Sequence, residues 1–154
     1  MATQRIYFDP SSLGRAFDDL AQERNRREAD AVEEVLRKIA IGDWLQVSST
    51  AATLEIAAIP DVALRRKMEL RIPTTGAVHQ LNATTFSRAT ELCRLGFKPL
   101  DALHVAAAEE LNADVLLSCD DQLCRTANRH TGKLAVPVRN PVDWLKEITH
   151  GQDP

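Results

Sequence analysis

The 154 residues predict an α/β fold, a parallel sheet with helices on both faces, and three observations carry that expectation. Short apolar runs alternate with longer stretches of helical periodicity, the connections between them are short, and Gly, Pro, Ser, Asn or Asp stands at the junctions. The alternation gives four to five strands in the middle layer of a three-layer α/β/α sandwich, linked by right-handed crossovers. With 44% hydrophobic and 27% charged residues, a chain of this length forms one domain, expected over 1–149, with a frayed tail at 150–154.

The first strand is Arg5 to Asp9, where Ile6, Tyr7 and Phe8 are strand formers without alternation, as suits a strand covered on both faces. It stops at Asp9-Pro10. A helix from about Gln22 to Ile41 follows from the spacing of Val32, Val35, Leu36, Ile39 and Ala40, and Gly42 closes it. Trp44 to Ser48 is the next strand. Ser49 and Thr50 offer N-cap hydroxyls to a helix over Ala51 to Ile59, halted by Pro60. Asp61 caps another through Leu70, ending near Pro73. Ala77 to Leu81 reads as a short strand before a helix from Ala83 to Leu95, which Gly96 ends.

Pro99 suits a first helical position, and Leu100, Leu103, Ala107 and Leu111 mark the buried face of the helix that runs to about Asn112. Val115 to Leu117 is a buried strand, Gln122 to His130 a helix, and Leu134 to Val138 a strand. Asn140-Pro141 then caps and opens a last helix holding Leu145 and Ile148. No internal repeat or low-complexity segment interrupts the pattern.

Composition excludes several classes. The formal charge of -3 and pI near 5.8 provide no global positive field, so any nucleic-acid contact must be local. Three cysteines without paired spacing argue against a disulfide framework and a thiolate zinc site. The apolar stretch at Ile6 to Phe8 is too short for a signal-peptide core, and no later segment approaches a membrane span. A soluble, cytoplasmic protein with no membrane contact is expected.

Ligands of an open parallel sheet bind beyond the carboxyl ends of its strands, and that rule sorts the acidic residues. Asp9 stands at the end of the first strand, and Asp120 just past Leu117. Carboxylates brought together repel unless a cation lies between them, and hard oxygen ligands suit magnesium or manganese. Asp101 falls in the first turn of its helix, where it also complements the macrodipole. Glu55 lies among apolar neighbours in Thr53-Leu54-Glu55-Ile56-Ala57, either on a solvated stripe or aimed at a site. Asp9 also reads as a turn residue before proline, and Asp120 as an N-cap. Position alone leaves these readings open.

Three blocks resemble the PIN-domain family. Arg5-Ile6-Tyr7-Phe8-Asp9-Pro10-Ser11-Ser12-Leu13 resembles its opening strand and Asp-x-Ser turn. Leu100-Asp101-Ala102-Leu103-His104-Val105-Ala106 is similar to its central Asp-Ala-Leu/Ile helix, and Ala113-Asp114-Val115-Leu116-Leu117-Ser118-Cys119-Asp120 to its strand ending in Leu-x-Thr/Ser-x-Asp. Glu55 falls at the family's second acidic position. Short acidic strings arise by chance, but three in order on the right elements are specific. The departures are Pro10 where threonine is frequent, Ser118 for threonine, and Gln122 at a place often acidic.

The resemblance implies a cleft in which Asp9, Glu55, Asp101 and Asp120 hold Mg2+ or Mn2+, with Ser11 orienting it and Asp121 as a secondary candidate. His104 reads as a packed or hydrogen-bonded helix residue outside the ligand set. The implied chemistry is hydrolysis of RNA phosphodiesters to 5′-phosphate products with one or two ions and no protein nucleophile. Arg24, Arg26 and Arg27 form one basic cluster and Arg65, Arg66 and Lys67 another; either is a solvated face or a phosphate contact. Arg15, Lys98 and Arg125 adjoin the expected site in sequence. Aromatics at 5% give little support to recognition by base stacking.

The resemblance extends to partners, because many PIN proteins are toxins of the VapC type, paired with an antitoxin and dimeric, while others are housekeeping nucleases. A PIN-like module that binds RNA or protein without cutting is the main alternative. A phosphate-accepting receiver domain shares the doubly wound sheet but wants an acidic pair after the first strand. Here Pro10 follows Asp9, and Asp18-Asp19 lies too far along. A phosphatase with an Asp-x-Asp nucleophile fails because Ser11 takes the second acidic place.

Overall fold

The computed structural model describes residues 3–73 and 78–150. Five strands, β1 (Arg5–Phe8), β2 (Leu45–Ser49), β3 (Val78–His79), β4 (Val115–Leu117) and β5 (Val138–Arg139), form one sheet in the order β3-β2-β1-β4-β5. Every neighbouring pair is parallel. Eight helices flank the sheet: α1 (Pro10–Leu13), α2 (Glu23–Ala40), α3 (Thr50–Ala57), α4 (Val62–Glu69), α5 (Ala83–Arg94), α6 (Pro99–Glu110), α7 (Asp121–Arg129) and α8 (Pro141–His150). This is the expected α/β/α sandwich. Of the expected strand over Ala77 to Leu81, Ala77 lies outside the described residues, as do residues 151–154 of the expected tail.

The central strand explains its own sequence. Ile6 and Phe8 point into one core with Leu13, Val32, Val35, Ile56, Met68, Val115, Leu117 and Trp144. Tyr7 points into the other with Leu92, Val105, Leu116, Leu123 and Val138. Successive side chains of a strand alternate faces, so a strand with helices on both sides must be apolar throughout. The two cores put α1, α2, α3, α4 and α8 on one face and α5, α6 and α7 on the other. Gly42 and Gly96 end α2 and α5 with φ of 88° and 110°, which glycine adopts without steric cost.

Two departures from the sequence reading bear on the site. Pro10 does not merely stop β1; it occupies the first turn of α1, for which Asp9 is the N-cap. The expected strand Leu134 to Val138 is confined to Val138–Arg139, preceded by a 3-10 turn at Thr131–Lys133. Its ladder is set by the partner strand, since Leu116 and Leu117 pair with Val138 and Arg139 alone. Among the described residues no helix is long and apolar enough to cross a membrane.

Candidate active site

The strand order reverses between β1 and β4, and a crevice opens at such a switch point beyond the carboxyl ends of the two strands. Asp9 follows β1 directly, while Ser118 and Cys119 carry the chain from β4 to Asp120. Asp9 is 5% exposed and fully engaged. Its Oδ1 accepts from Ser11 Oγ at 2.7 Å and from the Ser12 amide at 3.0 Å, and its Oδ2 from Ser118 Oγ at 2.6 Å. Burial pushes its carboxyl above the ordinary range, and these donors pull it back. Ser11 Oγ also accepts from the Cys119 amide at 3.2 Å, and Ser118 Oγ from the Asp120 amide at 3.0 Å. The two serines therefore lace the ends of both strands together through one carboxylate.

Asp120 is the N-cap of α7, its Oδ1 accepting from the Gln122 and Leu123 amides at 2.9 and 3.2 Å. Its capping role and its place in the crevice coexist. Asp101, in the first turn of α6, is pushed up to about 6, by burial first and then by the charges of Asp120 and Asp9, while His104 and Lys98 act in the opposite sense. Asp9, Asp101 and Asp120 thus lie within electrostatic reach of one another. Asp101 and Lys98 share a small crevice with Phe97, Gln122 and Leu123.

Glu55 stands in a neighbouring hollow of about 250 Å³, which it lines with Pro10, Ser11, Asp18 and Met68, and its Oε2 meets His104 Nε2 at 3.0 Å. His104 in turn meets the Tyr7 hydroxyl through Nδ1 at 2.7 Å, and that hydroxyl lies 2.7 Å from Ser49 Oγ. His104 is the hydrogen-bonded helix residue that its sequence position suggested. Its tie to Glu55 was not legible, because residues 7, 49, 55 and 104 meet only through the fold. Ser118 was marked only as a replacement for threonine, and the hydroxyl shared by both residues is the relevant feature.

Asp121 stands apart, held by Arg24 at 2.7 and 2.8 Å. Arg24, Arg27 and Arg125 line a separate groove of about 520 Å³ together with Glu23, Glu28, Asp121 and Asp143. Its acids outnumber its arginines, so it is not a basic track. Arg15 is taken up by Asp18 at 2.9 Å and Glu28 at 3.0 Å, and Arg65 by the Ile59 carbonyl at 2.8 Å. Arg66 is exposed on α4 and Lys98 at the head of α6. Burial pushes the Cys119 thiol up to about 11 and the Cys124 thiol up to about 12, so neither is a ready nucleophile at neutral pH.

The donor set suits a divalent cation chemically. Its oxygens are hard ligands, and the Asp101 carboxyl, raised first by burial and then by the charges of Asp120 and Asp9, is a group whose ionised form a cation would favour. Asp9, Asp120 and Glu55 accept hydrogen bonds from protein donors, and among the described residues no group of three or more His, Cys, Asp or Glu is arranged to hold a metal ion.

A family model, the PIN domain, matches residues 16–129. The chain belongs to the PIN-domain family. The match includes Glu55, Asp101 and Asp120 and begins after Asp9. Among solved structures, this PIN domain is similar to the crystal structure of FitAcB from Neisseria gonorrhoeae, with a TM-score of 0.57 and 14% identity over 88% of this chain and 97% of that one. At that identity the likeness is one of fold. No curated protein matches the chain.

Proposed function

We propose that this PIN domain is a divalent-metal-dependent endoribonuclease in which Asp9, Glu55, Asp101 and Asp120 are the ligands of Mg2+ or Mn2+. The observation that supports the reading most is the position of Asp9 directly after β1 and of Asp120 just beyond β4, at the strand-order reversal, with Asp101 close enough for their charges to raise its carboxyl. Membership of the family supports it, since PIN domains are generally nucleases. When bound, the cation supplies Lewis acidity and charge neutralisation for in-line hydrolysis of a phosphodiester, leaving 5′-phosphate products. The chain's own part is placement: Ser11, Ser118 and the Ser12 amide hold Asp9, the amides opening α7 hold Asp120, and α6 presents Asp101. Lys98, beside Asp101, is the best-placed cation for an RNA phosphate; Arg66 is exposed on α4, Arg125 lines the separate groove, and Arg15 and Arg65 would have to leave their present partners.

The test is cleavage of end-labelled RNA with Mg2+, with Mn2+ and with chelator. Metal-dependent scission giving 5′-phosphate ends, lost in Asp9→Asn and Asp101→Asn, is expected. Equal cleavage by these variants and the parent, or cleavage indifferent to chelator, overturns the assignment.

A second reading, a PIN-like module that holds RNA or protein without cutting, is favoured by one observation: the described acidic side chains form no coordination group. RNA binding without scission in any metal would establish it. The cellular role proposed is that of a toxin paired with an antitoxin protein, acting in the cytoplasm as a homodimer. Leu54, Val62 and Leu70, exposed on α3, on α4 and at its C-cap, supply apolar surface for protein contacts. Growth arrest on expression, relieved by a neighbouring gene product, tests that role.

A further inference from the structure

We propose that His104 is a positioning residue for Glu55, an imidazole clamped by Tyr7 and Ser49 so that one carboxylate oxygen is fixed at the rim of the site. The inference rests on the cation-binding reading above.

With Nε2 alone carrying the ring proton of His104, the hydrogen bonds run in one direction. Ser49 caps α3, its Oγ accepting from the Ala51 amide at 3.2 Å, and lies 2.7 Å from the Tyr7 hydroxyl. An ionised carboxylate only accepts, so the His104 Nε2–H donates to Glu55 Oε2. A neutral ring then accepts at Nδ1, where only the Tyr7 hydroxyl is placed to donate. The Tyr7 oxygen accepts from Ser49 in turn. Ser49 to Tyr7 to His104 to Glu55 is thus a single ordered relay drawn from β2, β1, α6 and α3.

Packing alone does not ask for these residues. Tyr7 is 0% and His104 1% exposed, the two rings meeting edge to face with centroids 5.7 Å apart. Apolar side chains would fill that space without polar groups to satisfy. The chain of buried donors leads outward to one partly exposed carboxylate, whose side chain is 35% accessible. The clamp holds Oε2, while among the described residues Oε1 has no hydrogen-bond partner. Histidine–carboxylate contacts outside a metal's ligand shell set ligand orientation in this way, and their removal costs about 10–100-fold in affinity.

Calorimetric titration with Mn2+ of the purified full chain tests the proposal, using the parent, Asp101→Asn, Tyr7→Phe, His104→Leu and His104→Gln. The parent is expected to bind and Asp101→Asn to lose binding. Tyr7→Phe and His104→Leu should weaken binding about 10–100-fold, and His104→Gln, which keeps a donor toward Glu55, should recover most of it. Parent-like affinity in folded Tyr7→Phe and His104→Leu, with binding still lost in Asp101→Asn, overturns the positioning role and leaves the cation site standing. No Mn2+ binding by the parent overturns the cation reading and the proposal together. Nitrogen-15 spectra of the metal-free parent give a readout independent of any variant's folding. His104 protonated at Nε2 is expected, and protonation at Nδ1 alone overturns the relay.

Discussion

Ser118 Oγ donates to Asp9 Oδ2 across 2.6 Å and 109 positions of sequence, joining the end of β4 to the end of β1 at the strand-order reversal. The same hydroxyl accepts from the Asp120 amide at 3.0 Å. One side chain therefore sets the spacing of two acidic residues.

Ser118→Ala leaves a buried carboxylate short of a donor and a backbone amide without its acceptor. Hydrogen bonds to charged groups contribute about 1.5–3 kcal/mol, so a loss of that order is expected in urea unfolding. Ser118→Thr keeps the hydroxyl and should stay close to the parent in both stability and cleavage. Equal stability of the alanine variant and the parent would show that the bond carries no weight.

The raised carboxyl of Asp101 fixes the sign of a pH effect. Its folded value of about 6 lies above the unfolded value of 3.8, so between those limits the folded state binds the extra proton. Stability from this group is greatest below the unfolded value and is lost as pH rises through about 6. Asp101→Asn is accordingly expected to unfold at higher urea than the parent at pH 7, with the gap closing near pH 4. Cleavage in the presence of Mg2+ should move the other way, declining as acid protonates Asp101. A variant less stable than the parent at pH 7 would contradict the electrostatic account.

Arg24 and Asp121 are about half exposed, and exposed ion pairs contribute about 0–1 kcal/mol. Asp121→Ala is expected to cost no more than that and to cleave RNA at close to the parental rate. A loss matching that of Asp101→Asn would place Asp121 among the ligands.

The long periodic helices were legible in the sequence, as was β4, whose bounds coincide with the apolar run Val115 to Leu117. Each such element buries a face that the spacing of its own residues records. Less legible was α1, a single turn too short for periodicity, although Asp9 and Pro10 are an N-cap and first-turn pair. The extent of β5 followed from its pairing with β4, a tertiary constraint absent from its own residues. At the site, strand-end position marked Asp9 and Asp120 and the family resemblance completed the acidic set with Glu55 and Asp101, whereas their hydrogen-bond partners came only with the fold. Neither the bond from Ser118 to Asp9 nor the relay from Ser49 to Glu55 has a local signature. Arg15, which adjoins the site in sequence, is occupied by Asp18 and Glu28, and Arg65, open in the sequence to a solvated or a phosphate-contacting role, by the Ile59 carbonyl.

In the proposed centre Asp9, Asp101 and Asp120 share a divalent cation, with Glu55 reaching it from the rim. An anomalous-difference map from a crystal soaked in Mn2+ tests it most directly. The expected result is a peak within bonding distance of carboxylate oxygens from all three residues, absent from a crystal of Asp101→Asn soaked in the same way. A fully soaked parent crystal with no peak between these carboxylates, or with manganese only elsewhere on the surface, would contradict it.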